Sequence, residues 1–438
     1  MTRRGFTTRQ VHDRGRTGTP TPRATPIYLT AGFEFDEYSD AAAHFGHGEG
    51  YAYTRTGNPT VESVEAHLAA LEGGSRALLL ASGQAALSVA LLSLLEAGQH
   101  LVVSTHIYEG TRGLVRDNLS RLGITADFVE DIEDPAAWEA AIRPETRALV
   151  AESISNASNR VLDVAAIAAV AHRRGIPLIV DNTFATPYLV RPIEHGADIV
   201  VHSASKFLAG HGSVLGGAII DSGRFDPVRS GGLFPHLVAP GRDGSPSIAD
   251  RAGGDARIAY ARETVAARFG PTPSPLNAFL IGQGIETLSL RVERQSQNAL
   301  AVARWLAAQP QIASVDYAGL ASHPDHALAE RYLPDGYGSV FTFTLDGDAE
   351  AARRFVETLE VFTHMTHLGD VRSLVLHPAS TSHTQLTERE RAAVGISGGT
   401  LRVSIGIEDA ADLIDDLQRA LVALALPVPA PTADPVSA

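Results

Sequence analysis

The chain holds a single lysine among its 36 basic residues, Lys206; the others are arginine. On a solvated surface the two cations exchange at little cost in stability. The exchange fails where an amine must lose its proton and bond to carbon, because a guanidinium stays protonated. Lys206 lies in the run Val201-His202-Ser203-Ala204-Ser205-Lys206-Phe207-Leu208-Ala209-Gly210, with two small hydroxyls ahead of the amine and a glycine-bearing loop behind it. Composition alone leaves a reactive amine and a chance survivor level, and the neighbours decide. A hydroxyl pair beside a lysine suits a phosphate held next to an aldehyde that condenses with the amine. That chemistry points to pyridoxal phosphate, anchored through its phosphate and reactive through its aldehyde.

Three further stretches carry residue types that such a cofactor would use. Asp181 closes the apolar run Pro177-Leu178-Ile179-Val180. A carboxylate there can keep a pyridine nitrogen protonated, although strand ends also favour aspartate as a turn former or helix cap. Ser82-Gly83-Gln84 lies between an apolar run and the helical run Ala85–Leu95, where first-turn amides form an anion site. Tyr108 follows Leu101–Ser104 and can stack on a flat ring or simply pack.

Other patterns are weaker. His364 and His367 lie three apart, with His377 and His383 nearby, but neither cysteine nor convergent carboxylates accompany them, so no metal site is expected. Gly395-Ile396-Ser397-Gly398-Gly399 fits the G-x-S-x-G of serine hydrolases. A helical run precedes it and a strand follows, the reverse of what that nucleophile turn needs. Gly282-Gln283-Gly284 lacks the third glycine of a dinucleotide turn, and Met365 reads as core filler.

These residues need elements to hold them. Short apolar runs at Ala77–Leu80, Leu101–Ser104, Ala148–Glu152, Leu178–Asp181, Ile199–Ser203 and Ala218–Asp221 predict buried strands alternating with helices. Between two of them, Asp163 caps a helix carrying Val164, Ile167 and Val170, and Gly175 closes it. The repeated βαβ pattern predicts an α/β fold, with a mostly parallel sheet covered on both faces in a large domain over 61–270. Thr60 is expected to cap the helix that opens this domain, and residues 1–60 predict an extended arm. Residues 222–270 predict a long loop region with short helices. A long helix from Ser274-Pro275 towards Leu306, then strands at Val340–Thr344, Leu374–Leu376 and Leu401–Ser404, predict a smaller C-terminal α+β domain over 271–424. The Pro- and Ala-rich stretch 425–438 predicts a disordered tail.

Composition narrows the partners. A net charge of −14 gives no general surface for a nucleic-acid backbone. The absence of cysteine removes disulfides, thiolate metal sites and cysteine nucleophiles. Arg3 and Arg4 are followed by no apolar stretch, and no run approaches the length of about 18 apolar residues needed for a membrane span, so a cytoplasmic protein is expected.

From Phe6 to about Leu424 the sequence resembles the Cys/Met-metabolism family of pyridoxal-phosphate enzymes. The resemblance is carried by Tyr53-Thr-Arg55-Thr-Gly-Asn-Pro-Thr60, Ser82-Gly83-Gln84, Tyr108, Asp181-Asn-Thr-Phe-Ala-Thr-Pro187, Ser203-Ala-Ser205-Lys206 and Leu401-Arg402-Val-Ser-Ile-Gly-Ile-Glu408. It implies the fold of type I, aspartate-aminotransferase-like enzymes. It also implies roles: Lys206 for the Schiff base, Asp181 for the pyridine nitrogen, and Tyr108 for ring stacking and proton carriage near Cγ. Ser82, Gly83, Gln84, Ser203 and Ser205 would serve the phosphate, and Asn156 the ring oxygen. Arg402 would clamp the substrate α-carboxylate, with His367 and Asn156 beside it. Tyr53 and Arg55 would reach the phosphate of a neighbouring subunit, implying a homo-oligomer built as a dimer of dimers.

Within the family, the stretches from Ser274 to Leu288 and from Leu368 to Leu386 are most similar to O-acetylhomoserine sulfhydrylases. Thr366 stands where cystathionine enzymes carry Glu, and Gly110 where methionine γ-lyases carry Cys. The implied reaction is γ-replacement on an O-acylated homoserine. O-acetyl-L-homoserine with sulfide or a thiol would give homocysteine or a thioether amino acid, plus acetate, within methionine biosynthesis. A γ-lyase and an O-succinylhomoserine sulfhydrylase are the alternatives. Three positions depart from the family pattern: Glu109 follows the stacking tyrosine, Asn156-Ala157 replaces Asn-Pro, and His367 replaces Ser or Asn near the substrate carboxylate.

Overall fold

Aliphatic runs covered on both faces build a seven-stranded sheet in the computed structural model, which describes residues 4–424 apart from 14, 16–21, 48–49, 157, 231 and 243. The tail expected at 425–438 and Ala157 lie outside the described residues. The strands are β1 (Arg76–Leu80), β2 (His100–Ser104), β3 (Thr125–Val129), β4 (Thr146–Glu152), β5 (Leu178–Asp181), β6 (Ile199–His202) and β7 (Gly217–Asp221). They lie in the order β1-β7-β6-β5-β4-β2-β3, with β7 antiparallel to both neighbours and every other pairing parallel. Alternate side chains enter two cores: Val102, Leu149, Val180 and Val200 on one face, Leu101, Val150, Ile179 and Val201 on the other. That two-sided burial is what a parallel sheet requires.

Register sets the chemistry. Glu152 at the end of β4 pairs with Asp181 at the end of β5, and Asp181 pairs with Val201 of β6. The turn Ser203–Lys206 continues directly from β6, at the carboxyl ends where open α/β sheets bind ligands. The loop after Lys206 is tied down by buried Arg291, which donates to Phe207 O at 2.8 Å and Gly284 O at 2.6 Å.

A second sheet holds β8 (Ile312–Asp316), β9 (Val340–Leu345), β10 (Thr363–His364), β11 (Leu374–Leu376) and β12 (Thr400–Ser404), in the order β10-β11-β12-β9-β8. Helices Leu288–Ala307, Ala349–Thr358 and Ala410–Leu424 pack on it through Val302, Phe355 and Leu417. Three strands were not foreseen: β3, β8 and β10. All are edge strands, half-buried or exposed over most of their length, so they lack the full apolar run of a central strand.

Other boundaries also differ from expectation. The N-terminal stretch read as extended contains helices Phe6–His12 and Tyr38–His47. The first is held by tertiary contacts rather than by its own period: buried Gln10 exchanges hydrogen bonds with Ser289 at 2.8 and 3.0 Å. Asn58, not Thr60, caps the helix Pro59–Glu72, its Oδ1 accepting from Thr60 N at 3.0 Å. The Thr60 hydroxyl instead stitches the arm, donating to Pro26 O and accepting from Tyr28 N. The long helix after Ser274 is two, Pro275–Ile285 and Leu288–Ala307. The region 222–270 is more helical than a loop, with Ile248–Ala252 leading into a nearly continuous helical stretch from Ala256 to Phe269.

Candidate active site

Between the carboxyl ends of the first sheet and the second sheet lies a cavity of about 880 Å³. It gathers Ser82, Gly83, Gln84, Tyr108, Asn156, Asp181, Ser203, Ser205, Lys206, His367 and Arg402. Tyr53 and Arg55 do not line it. They border a separate depression of about 490 Å³ with Leu29 and Thr272, where Tyr53 is half exposed and the Arg55 guanidinium lies 5.5 Å from its ring centre.

Lys206 Nζ lies 3.0 Å from His367 Nδ1. Burial, with the Arg402 cation second, lowers the amine from 10.5 to about 8, which raises the unprotonated fraction near neutrality. Ser205, expected at a phosphate, uses its hydroxyl elsewhere. Its Oγ accepts from Gly216 N at 2.9 Å and donates to Gly216 O at 3.2 Å, pinning the lysine turn against the start of β7.

At one end of the cavity the helix Gly83–Leu92 begins, capped by Ser82, whose Oγ accepts from Ala85 N at 3.1 Å. The first-turn amides of Gly83 and Gln84 have no intrahelical acceptor, and the helix end favours an anion. A side chain on Gly83 would stand 2.7 Å from Ser203 Cβ, so the turn can present only backbone there. Gln84 Oε1 is buried without a partner among the described residues.

Asp181 Oδ1 accepts from the backbone N and the hydroxyl of Thr183, at 2.9 and 2.5 Å, and the same hydroxyl accepts from Ser203 N at 2.8 Å. Beside Asp181 stands Glu152, which the sequence reading passed over. Its Oε1 accepts from Tyr108 N at 2.8 Å and its Oε2 from Asn156 N at 2.7 Å, so one carboxyl fixes two expected site residues. Its signal was the one that identified Asp181: a carboxylate ending an apolar strand. Burial and the neighbouring Asp181 push Glu152 well above the usual carboxylate range. Burial also raises Asp181, against the hydrogen bonds from Thr183. A cation beside Asp181 would relieve both.

Tyr108 is half exposed at the cavity wall. Gly110 makes room for its ring: a Cβ there would lie 2.3 Å from Tyr108 Cε1 and 2.3 Å from Gln84 Nε2. Glu109 adds no free charge, because its Oε1 accepts from Arg112 Nε at 2.9 Å, with both side chains mostly buried.

From the second sheet, Arg402 projects from β12 and is 5% exposed. It donates to Asn156 Oδ1 at 3.1 Å and to His367 O at 3.3 Å, and it makes no ion pair among the described residues. Burial lowers its pKa to about 10. Met365, expected in the core, lines the cavity and is 45% exposed, because it follows the uncovered edge strand β10. Ser397 lies exposed in the turn before β12, its hydroxyl 3.0 Å from that of Thr400. The histidines weighed as metal ligands take separate partners: His377 meets Ser380 and Gly398 O, His383 meets Ser382, and His367 meets Lys206.

An amine, a strand-end carboxyl and an anion turn thus share one cavity, and they match the aldehyde, ring nitrogen and phosphate of pyridoxal phosphate. The model of the Cys/Met metabolism PLP-dependent enzymes matches residues 7–422. The O-acetyl-L-homoserine sulfhydrylase of Corynebacterium glutamicum is 42% identical over 434 residues, covering 96% of this chain and 97% of that protein. The homocysteine synthase of Schizosaccharomyces pombe is 42% identical over 402 residues, covering 91% of this chain and 94% of that protein. A Campylobacter jejuni crystal structure, described as an O-acetylhomoserine (thiol)-lyase and containing N'-pyridoxyl-lysine-5'-monophosphate, superposes with a TM-score of 0.91 at 35% identity, covering 95% of this chain and 99% of that one. No helix among the described residues is long and apolar enough to cross a membrane. With its fold, its lone lysine and its strand-end carboxyl, the chain belongs to the Cys/Met metabolism family of pyridoxal-phosphate-dependent enzymes.

Proposed function

We propose that this enzyme exchanges the γ-acetoxy group of O-acetyl-L-homoserine for sulfide, giving homocysteine and acetate. The observation that carries the proposal is the side-chain amine of Lys206, lowered to about 8, sharing one cavity with a buried guanidinium that has no counter-ion among the described residues. Pyridoxal phosphate supplies, when bound, an aldehyde that condenses with amines and a ring that takes up the electron pair left at Cα.

Lys206 would hold it through its aldehyde, Asp181 through the ring nitrogen, and Tyr108 against a ring face. Ser82, Gly83, Gln84 and Ser203 would hold the phosphate, completed by Tyr53 and Arg55 of a neighbouring copy; Ser205 acts by fixing the lysine turn. Arg402 binds the α-carboxylate in its planar fork, steadied by Asn156. Freed Lys206 takes the Cα proton in its unprotonated form and later returns it. A second proton is then lost from Cβ, and that C–H pair expels acetate from Cγ; Tyr108 carries the proton near Cγ as the C–O bond breaks and the C–S bond forms, and Cβ regains its proton once sulfide has added. Acetate leaves with the bonding pair and sulfide brings its own, so no oxidant or reductant is needed.

The active unit in this reading is a dimer, paired into a dimer of dimers and working in the cytoplasm. Each chain divides into an arm (1–60), a large domain (61–270) and a small domain (271–424). The crowding at Gly110 supports transfer over a methionine γ-lyase reaction, whose enzymes carry a side chain there.

The test is product analysis of the holoenzyme with O-acetyl- and O-succinyl-L-homoserine, each with sulfide, methanethiol, cysteine or no acceptor. Homocysteine and acetate from the acetyl donor support the proposal. Sulfide-independent 2-oxobutyrate would make the enzyme a lyase, and homocysteine from the succinyl donor alone would reassign the donor.

A further inference from the structure

We infer that His367 is a positioning residue for the amine of Lys206: its bare Nδ1 takes an N–H of the freed amine and so aims the amine's lone pair at the substrate Cα. The inference rests on the reading of Lys206 given above and adds a residue that the reading does not require.

The contact itself is direct, Nζ to Nδ1 at 3.0 Å. An imidazole nitrogen without a proton can only accept, so it fixes one N–H of the amine and leaves the lone pair unoccupied. The serine or asparagine expected at this position from the family resemblance can donate as well, and a donor competes for that lone pair.

The surroundings keep the ring neutral, and opposite an ammonium, which can only donate, Nδ1 is the acceptor. Burial is the main cause that lowers His367 to about 4, followed by the Lys206 charge, so the ring is neutral at working pH. Its charged neighbours are Lys206, Arg402, Arg372 and Asp370. Asp370 is the one anion among them, and its oxygens are bound by Arg372 at 2.9 and 3.0 Å. The ring's Nε2 is buried with no partner among the described residues, so Lys206 is the one hydrogen-bond contact of the ring nitrogens there. The His367 carbonyl meanwhile accepts from Arg402 at 3.3 Å. One residue therefore spans the amine that works at Cα and the clamp that holds the α-carboxylate.

Because Lys206 is the only lysine, ¹⁵N-lysine labelling of the apoprotein gives one Nζ resonance, whose titration reads the contact without cofactor or turnover. The wild-type midpoint is expected near 8. In His367→Leu the ammonium loses its acceptor, and the midpoint falls by about one pH unit. In the holoenzyme, His367→Leu should slow Cα-proton exchange about 30-fold with the donor KM within about threefold, and His367→Asn, which can accept from the amine but also donate to it, should recover only part of the exchange. A midpoint that stays or rises in His367→Leu, or exchange at the wild-type rate, overturns the inference. Should His367→Leu fail to fold, His367→Ser serves: exchange about tenfold slower with unchanged cofactor absorbance supports the inference, and wild-type exchange overturns it. Failure of the underlying reading would look different, since borohydride would then fix no pyridoxyl group on wild-type Lys206.

Discussion

The two ends of the seven-stranded sheet hold buried carboxylates in opposite conditions. At the end away from the cavity, Asp221 is gripped by Arg257 at 2.8 and 3.0 Å, and Asp198 meets the His172 ring at 2.9 Å and the Leu178 amide. At the cavity end, Glu152 and Asp181 lie side by side with, among the described residues, only backbone amides and the Thr183 hydroxyl as hydrogen-bond partners. Lys206 and Arg402 face the same space with no carboxylate bonded to either among the described residues. Buried charge is normally paired, as at the first end, because an isolated one is costly. Opposite charges kept apart in one cavity are what a ligand with both an anionic and a cationic part would join.

Substitutions at the two ends should therefore fail in different ways. The largest effect belongs to Lys206→Arg: a guanidinium stays protonated and cannot form the imine, and turnover should fall by at least about 10⁴-fold with the fold intact, measured by homocysteine release and Cα-proton exchange. Arg257→Met leaves Asp221 buried and unpaired, and should cost about 3–5 kcal/mol of stability by denaturant unfolding while kcat per folded molecule changes little. Arg402→Lys keeps the charge but loses the planar fork, and should lower kcat/KM for the donor about 100-fold with stability nearly unchanged.

The pH dependence of cofactor loading is a smaller effect with a definite sign. The amine attacks an aldehyde only when unprotonated, so apoprotein condensation with pyridoxal phosphate should speed up about tenfold per pH unit below 8 and level off above it. A rate still rising steeply between pH 9 and about 10.4 would mean that burial does not lower the amine. Gly110→Ala is expected to have the mildest effect, pushing the Tyr108 ring aside and slowing turnover about tenfold, with a change in cofactor absorbance as the visible sign.

Much of the cavity end was legible because its residues are odd for their places: a lysine in a chain of arginines, an aspartate ending an apolar strand, a small polar turn before a helix. Glu152 carried the same mark as Asp181 and was missed because no motif named it, although its two oxygens fix Tyr108 and Asn156. Central strands were readable from their continuous apolar runs; β3, β8 and β10 were not, since an edge strand half in water has no such run. Helix Phe6–His12 owes its stability to contacts 279 residues away in sequence, which no local period contains. The partner of His367 was likewise hidden, because 161 residues separate it from Lys206. Ser205 illustrates the reverse case. Its type suited a phosphate, and the fold uses it to hold a turn.

The most direct measurement is borohydride reduction of the yellow holoenzyme followed by peptide mass mapping. A pyridoxyl phosphate group should be found on the peptide carrying Lys206, in one-to-one ratio with the chain. A colourless protein after reconstitution, or an adduct only at the N-terminal amine, would contradict the assignment of the reactive amine and the chemistry built on it.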